Sequence, residues 1–406
     1  MNIEIIDLLG NVVTSPQSLM RPTGSPTLSE DAAYGDKNCA NCGQSGSTHT
    51  CTGCKVTDVG QLRVFYCGKQ CQEAHWKAHK DSCHGRRRLA RAVSLFGEIW
   101  TAFEEATFTS NVVFVGQKDG IISLNLREPG LDPRGWAGGS VIRPFPGEMF
   151  PSDTSEAIKQ AVLFDSECCD VATVGLPLLN VFLKPICAEL TEAAVEPRDP
   201  ALIVHLRGTD YLDSDHRILR VTLPTGEVFA IDFTGAQYGW KETLYSWDTY
   251  VKYRVRNVQS VGQLGWGREA LDAMLSTFAP DGPERAILAV RKAAMQGLKT
   301  QVDALLASQE ISARKVRPWP DSAFTTAREK LVTEAKAYLH GILRGLKENG
   351  IGRLYYNRLY LHRVTLSAEV ASKYDSVWLS DEEKDAEKGN VDALKRIWAE
   401  RVARIN

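Results

Sequence analysis

The chain has 406 residues, 43% of them hydrophobic and 24% charged, and a formal net charge of -2. That length suits two or three domains with a sizeable core, and the near-neutral charge excludes binding to nucleic acid or an anionic membrane through bulk charge. Every long apolar run is broken by charge or proline, so no membrane span is expected, and the acid-containing start Met1-Asn2-Ile3-Glu4-Ile5-Ile6-Asp7 does not read as a secretory signal.

Residues 11–38 are rich in Ser, Thr, Pro and Gly and carry no apolar periodicity, so residues 1–38 read as a disordered leader. A cysteine cluster fills residues 39–83. Arg86-Arg87-Arg88 with Arg91 follows, either a solvated helix face or a nuclear-import or anion patch. It opens a helical linker over 84–107, in which Leu89 to Phe103 carry apolar residues at helical spacing. Residues 108–260 read as an α/β domain. Val112–Val115 and Ile121–Leu126 flank Gln117-Lys118-Asp119-Gly120, which has hairpin turn chemistry. A Gly/Pro-rich loop covers 129–152. A helix is expected from Thr154 or Ser155 to about Phe164, then an apolar segment over 171–190. Two β-branched runs, 217–223 and 228–233, surround Pro224-Thr225-Gly226-Glu227 and predict an antiparallel hairpin.

Residues 261–406 read as mainly helical. Arg268–Phe278, Pro283–Ser308, Ala323–Gly350 and Val391–Ile405 all repeat apolar residues every three or four positions. Ser380 before Asp381-Glu382-Glu383 predicts a helix start, and Gly389-Asn390 a break. The fold class is therefore α+β.

Seven of the ten cysteines lie between Cys39 and Cys83, and without a secretory signal such a cluster points to metal in an intracellular compartment, nucleus or cytoplasm, rather than to disulfides. The ligand run is Cys39-x2-Cys42-x8-Cys51-x2-Cys54-x12-Cys67-x3-Cys71-x7-His79-x3-Cys83. Each Cys-x2-Cys knuckle wraps one tetrahedral ion, and Cys71, His79 and Cys83 sit at multiples of four along a helical stretch. Eight N/S ligands close two four-coordinate sites, so the cofactor expected is two structural zinc ions. So polar a segment cannot fold on apolar burial alone. Structural zinc contributes roughly 10–16 kcal/mol in small finger peptides. His75, one turn before His79, is a rival ligand, and His49 reads as a solvated loop histidine.

Tyr66-Cys67-x3-Cys71-Gln72-x2-His75-Trp76-x2-His79-Lys80-x2-Cys83, after two Cys-x2-Cys pairs, resembles the MYND zinc finger. The resemblance implies an interleaved arrangement, with Cys39, Cys42, Cys67 and Cys71 on one zinc and Cys51, Cys54, His79 and Cys83 on the other. It also implies that Gln72 and Trp76, neighbours at (i, i+4), form a groove for short proline-containing peptides of a partner protein. The alternative reading of Trp76 is a core plug for a finger poor in apolar residues. The finger holds five basic and three acidic residues, too small an excess for phosphate-driven binding, so nucleic acid is not an expected partner. MYND fingers also occur in SET-domain lysine methyltransferases. Those proteins carry an Asn-His pair that this chain lacks after its finger, and Gly265-Trp266-Gly267 falls too far downstream for their donor loop.

His216 with Asp232 sixteen residues later, on the two strands of the predicted hairpin, resembles the His-strand-turn-strand-Asp element of transglutaminase-like, papain-fold proteins. That resemblance implies a cysteine nucleophile upstream, with His216 as its base and Asp232 orienting the imidazole. Cys168 and Cys169 at a helix start are the candidates, and Cys187, late in an apolar run, is expected to be buried and inert. Ile218, Arg220 and Phe233 depart from the family pattern. In the simplest hairpin register Leu223 faces Val228, which sets His216 and Asp232 on opposite faces unless a bulge intervenes. The aromatic stretch from Tyr238 to Tyr253 reads as core and interface. The leading functional expectation is a zinc-binding regulatory or adaptor protein that docks partner peptides. The alternative is a cysteine-dependent acyl transferase or hydrolase.

Overall fold

The computed structural model describes residues 5–6, 12–13, 37–54, 63–110, 112–126, 142–206, 216–267, 283–308 and 321–349. Most of the leader, the helices expected at Arg268–Phe278 and Val391–Ile405, and the signals at Ser380 and Gly389 lie outside these residues. The described elements form a mixed helix and strand fold, with the cysteine cluster near the N-terminus and helices toward the C-terminus.

At the N-terminus β1 (Ile5–Ile6) pairs with β2 (Val12–Val13), and within the cysteine cluster β3 (His49–Thr50) pairs with β4 (Phe65–Tyr66). Helix α1 (Lys69–Ala106) follows. Its 38 residues span about 57 Å at about 1.5 Å per residue. The finger helix and the linker helix expected from the sequence are thus one element. Before Cys83 its helical face carries metal ligands; after it, Leu89, Val93, Phe96, Trp100 and Phe103 bury a stripe at three- and four-residue spacing.

β5 (Val112–Lys118) and β6 (Ile121–Leu126) form a hairpin through Asp119-Gly120, and β8 (Ile203–Leu206) joins β6 in parallel. Short helices α2 (Glu156–Leu163), α3 (Cys168–Thr173) and α4 (Leu176–Phe182) lead into β7 (Glu189–Pro197). The central sheet then takes β9 (His216–Thr222), β10 (Val228–Ile231), β11 (Leu244–Ser246) and β12 (Val255–Gln263). Its order is β11-β10-β9-β7-β12, antiparallel throughout. Helix α5 (Trp247–Arg254) sits between β11 and β12, and α6 (Pro283–Ser308) and α7 (Asp321–Asn349) complete the described chain. The sequence pattern did not predict β12, whose burial is confined to its start and whose alternation is weak.

The β9–β10 register corrects the expectation. Thr222, not Leu223, faces Val228. The turn holds one residue more than the simplest hairpin: Gly226 takes φ +83°, its N–H donates to Leu223 O at 2.9 Å, and Leu223 N–H donates to Glu227 O at 2.9 Å. The left-handed region that only glycine enters freely is what allows the shift. Moved by one residue, every side chain of the second strand changes face, and His216 and Asp232 come to project on the same side.

Each face of the sheet has its own core. On one, Leu219, Val221, Phe229 and Ile231 pack with α1, α3, α4, α6 and α7; Phe96 and Phe233 meet at 4.5 Å between ring centroids. On the other, Ala193, Val195, Ile218 and Ala230 pack under Trp240, Tyr245 and Tyr250. The helical layer is pinned by buried charge. Arg291 of α6 donates to both Glu104 oxygens of α1 (2.6 and 2.7 Å) and to Glu167 (3.1 Å) before α3, with Asp170 at 3.4 Å. Burial pushes the Glu104 carboxyl upward and lifts Glu167 to about 7, against the opposing pull of Arg291.

Candidate metal centre

Two ligand sets converge. Cys39, Cys42, Cys67 and Cys71 place their sulfurs within 4.8 Å of one another, and so do the ligand atoms of Cys51, Cys54, His79 and Cys83. The sets interleave along the chain as the resemblance implied. Their spacing fits zinc. Four thiolates at about 2.3 Å from a tetrahedral ion stand about 3.8 Å apart. The sulfurs of Cys42 and Cys67, of Cys51 and Cys83, and of Cys54 and Cys83 are each 3.7 Å apart, with Cys67 and Cys71 at 3.4 Å. His79 Nε2 lies 3.3 Å from Cys54 Sγ, which makes Nε2 the ligating nitrogen. A set of four cysteines and a set of three cysteines with one histidine thus hold two zinc ions, and four protein ligands at each leave no position for catalysis.

Local backbone bonds build the sets. Gly43 N–H donates to Cys39 O at 2.8 Å and Cys54 N–H to Cys51 O at 3.1 Å, turning each knuckle. Ala40 N–H to Phe65 O (2.9 Å) and Cys51 N–H to Val64 O (3.0 Å) fasten both knuckles to the segment ahead of α1. At Gly53 a Cβ would stand 2.6 Å from Cys83 Sγ, so the second knuckle closes only around glycine there. Cys71 belongs to one set and His79 and Cys83 to the other, so a single helix serves both ions. Tyr66 is wholly buried beside them, and its hydroxyl meets His75 Nδ1 at 3.0 Å. His75 is therefore engaged outside the ligand sets, stacked on His79 at 5.8 Å. His49 is exposed on β3.

Trp76 keeps 40% of its surface exposed, the most prominent aromatic on this part of the chain, and stands edge-on to His79 and His84 at 6.2 and 6.1 Å. Beside it a groove of about 550 Å³ runs between α1 and the Cys51–Gly53 knuckle, with Gln72 and Trp76 both in its lining. The arginines after the finger have partners: Arg86 binds Glu227, Arg88 Nε donates to His84 O at 3.4 Å, and Arg91 covers the Phe324 ring at 4.7 Å.

In the central sheet, His216 Nε2 lies 3.0 Å from Asp232 Oδ1, both side chains buried. Asp232 also accepts from Tyr250 Oη at 2.8 Å and from Thr234 N–H at 3.2 Å. Neither ring nitrogen of His216 makes an aligned hydrogen bond, and the ring is packed by Tyr238 and Trp240. Cys168 and Cys169 open α3, whose Val171 and Ala172 pack with Leu219 and Val221 on the opposite face of the sheet. The structure thus brings His216 to Asp232 and does not bring either cysteine to His216. Burial pushes the Cys187 thiol up to about 12. The sequence offered no signal for the role of Tyr250 or of the Arg291 cluster, both of which depend on elements far apart in the chain.

Residues 39–83 match the MYND finger family. The chain is also 32% identical over 56 residues, across the finger, to "Histone-lysine N-methyltransferase ASHR1" of Arabidopsis thaliana. That match covers 14% of this chain and spans about a tenth (10%) of the relative's own length. No solved structure matches the chain. The finger is a zinc-dependent protein-interaction module of the MYND kind. Among the described residues no helix is long and apolar enough to cross a membrane.

Proposed function

We propose that the protein is an adaptor or regulatory protein that captures a short, proline-containing peptide of a partner in the groove beside Trp76. The observation that supports this most directly is the indole: a large aromatic face held open to solvent on a helix that the zinc ligands Cys71, His79 and Cys83 hold in place. An exposed ring of that kind offers proline an apolar platform at little ordering cost. Gln72, one turn earlier, supplies an amide that both donates to and accepts from an extended peptide backbone. The test is binding of labelled proline-containing peptides to the zinc-loaded chain. Trp76→Ala and Gln72→Ala are expected to weaken it at least tenfold while zinc content stays at two equivalents. A partner set unchanged by both substitutions would overturn the proposal.

The His216–Asp232 contact favours a second reading, a thiol-dependent acyl transferase or hydrolase. The position of α3 across the sheet speaks for a structural role of that pair instead. Labelling with an electrophilic thiol probe separates the two: no fast-reacting cysteine outside the finger would remove the enzymatic reading.

A further inference from the structure

We propose that the two zinc sites are unequal: the four-cysteine set is a peroxide-responsive site that gives up its ion, and the set containing His79 is the permanent one. The sets differ first in cover. Cys51, Cys54 and Cys83 are each 2% exposed and His79 4%. The rings of Tyr66, His75 and Trp76 stand around His79 at 6.4, 5.8 and 6.2 Å. Cys51 and Cys83 border the groove beside Trp76, yet they remain almost wholly enclosed. In the other set only Cys39 is buried; Cys67 and Cys71 are half-buried and Cys42 is exposed. The contact between the sulfurs of Cys42 and Cys67, 3.7 Å, lies at the surface. The sets differ also in charge. Four thiolates outweigh a divalent cation by two charges, whereas three thiolates with a neutral imidazole outweigh it by one. The more electron-rich sulfurs are therefore the ones that solvent reaches. Asn41 Nδ2 donates to Cys71 Sγ at 3.5 Å and draws density from it, which leaves Cys42 as the point of attack.

Thiolate character and exposure together decide which cysteines oxidise, and a metal-bound thiol is already deprotonated. The Cys42 thiolate attacks one oxygen of hydrogen peroxide: an S–O bond forms, the O–O bond breaks and hydroxide leaves. The Cys67 thiolate, 3.7 Å away, then attacks the sulfenic sulfur; an S–S bond forms, the S–O bond breaks and a second hydroxide leaves. Two thiolates have given two electrons to the peroxide, and their sulfurs have closed to about 2.0 Å. Cys39 and Cys71 remain, too few donors to close a tetrahedral site. The place of this set in the chain gives the loss a local effect. Cys67 and Cys71 bracket the first turn of α1, which begins at Lys69, and Gln72 follows directly. His79 and Cys83 fasten the helix on the far side of Trp76. Oxidation thus releases the Gln72 end of the helix and leaves the Trp76 end held. The consequence for peptide capture rests on the groove being the docking site; the loss of the ion does not.

The experiment treats the zinc-loaded full chain with hydrogen peroxide while a chromophoric chelator reports freed zinc. Differential alkylation and mass spectrometry follow each cysteine. One ion is expected to appear about tenfold faster than the other, together with a disulfide joining Cys42 to Cys67, while Cys51, Cys54 and Cys83 stay protected. Reduction with a thiol and added zinc is expected to restore the lost ion. Release of both ions at one rate would overturn the inference. So would oxidation of Cys51, Cys54 or Cys83 ahead of Cys42, or retention of both ions once Cys42 is oxidised. A labelled proline-containing peptide, titrated against reduced and oxidised chain, reads the consequence for capture: binding is expected to weaken on oxidation and recover on reduction. If that peptide binds neither form while one ion still leaves first, the docking site falls and the inequality of the two sites stands.

Discussion

Arg86 and Glu227 close the junction between the finger and the sheet: the guanidinium reaches one carboxylate oxygen through Nε at 2.7 Å and through Nη2 at 2.5 Å. Arg86 is three residues past the last zinc ligand, and Glu227 sits in the turn of the β9–β10 hairpin. Beside them the packing leaves little slack, since a Cβ on Gly85 would stand 3.2 Å from Leu223 Cδ1. The pair is about one-fifth exposed on each side, so its strength lies above that of an open surface pair. A double-mutant cycle with Arg86→Ala and Glu227→Ala, read by urea denaturation, is expected to give a coupling of about 1 kcal/mol. A coupling near zero would mean the contact merely decorates the junction.

Histidine identity is the sharpest test of the metal centre. His79→Ala removes the only histidine ligand of its set, and the zinc content is expected to drop from two equivalents toward one. His75→Ala removes only the partner of the Tyr66 hydroxyl, and both ions stay. Elemental analysis after dialysis against a competing chelator distinguishes the two substitutions.

Gly53→Ala, a change of one methyl group, is expected to behave like loss of a ligand. The added carbon stands 2.6 Å from the sulfur of Cys83, well inside contact distance. With that sulfur committed to an ion, the knuckle has to open. Zinc retention at the second site is the readout, and full retention would show that the loop relaxes.

Arg291 is the only cation among three carboxylates where α6 meets α1 and α3 in the described structure. Arg291→Met leaves those acids buried without it, and a loss of about 3–5 kcal/mol is expected in zinc-saturated denaturation. Pairing it with Glu104→Gln is expected to recover part of that loss. Full stability of the single variant would show that the acids take up protons or water at no cost.

The same cluster gives the stability a pH dependence of defined sign. Glu167 stands at about 7 in the folded chain against an ordinary 4.5, raised first by burial. The folded state therefore holds a proton that the unfolded chain releases, and the favourable contribution is complete below about 4.5 and lost as pH rises through about 7. Denaturation at fixed free zinc, across that window, is expected to show stability declining with pH. Glu167→Gln is expected to flatten the decline; an unchanged slope would place the proton elsewhere.

The zinc finger was legible in the sequence because its chemistry is local: ligand type and spacing are written within residues 39–83 and depend on no distant partner. The hairpins were legible for the same reason, through Asp119-Gly120 and Pro224-Thr225-Gly226. Their register was less so. One left-handed glycine at position 226 moved the pairing by a residue and decided whether His216 sees Asp232, which no alternation pattern encodes. Strand β12 escaped notice since as an outer strand with mostly exposed residues it has no strong period. Arg291 lies within the predicted helix Pro283–Ser308 with nothing in the sequence to single it out, and only the packing of α6 on α1 and α3 reveals what it meets. The candidate groove was half visible: Gln72 and Trp76 follow from helical spacing, whereas His84 and Arg87 join them because the helix continues past the last ligand.

That continuity makes α1 a rigid strut. The groove cannot swing like a bead on a string; it is aimed at a constant bearing relative to the β-sheet, and whatever it holds is presented at a set distance from the helical layer. A short flexible insert after Cys83 would leave both halves intact and abolish only their alignment, separating capture of a partner from its correct presentation.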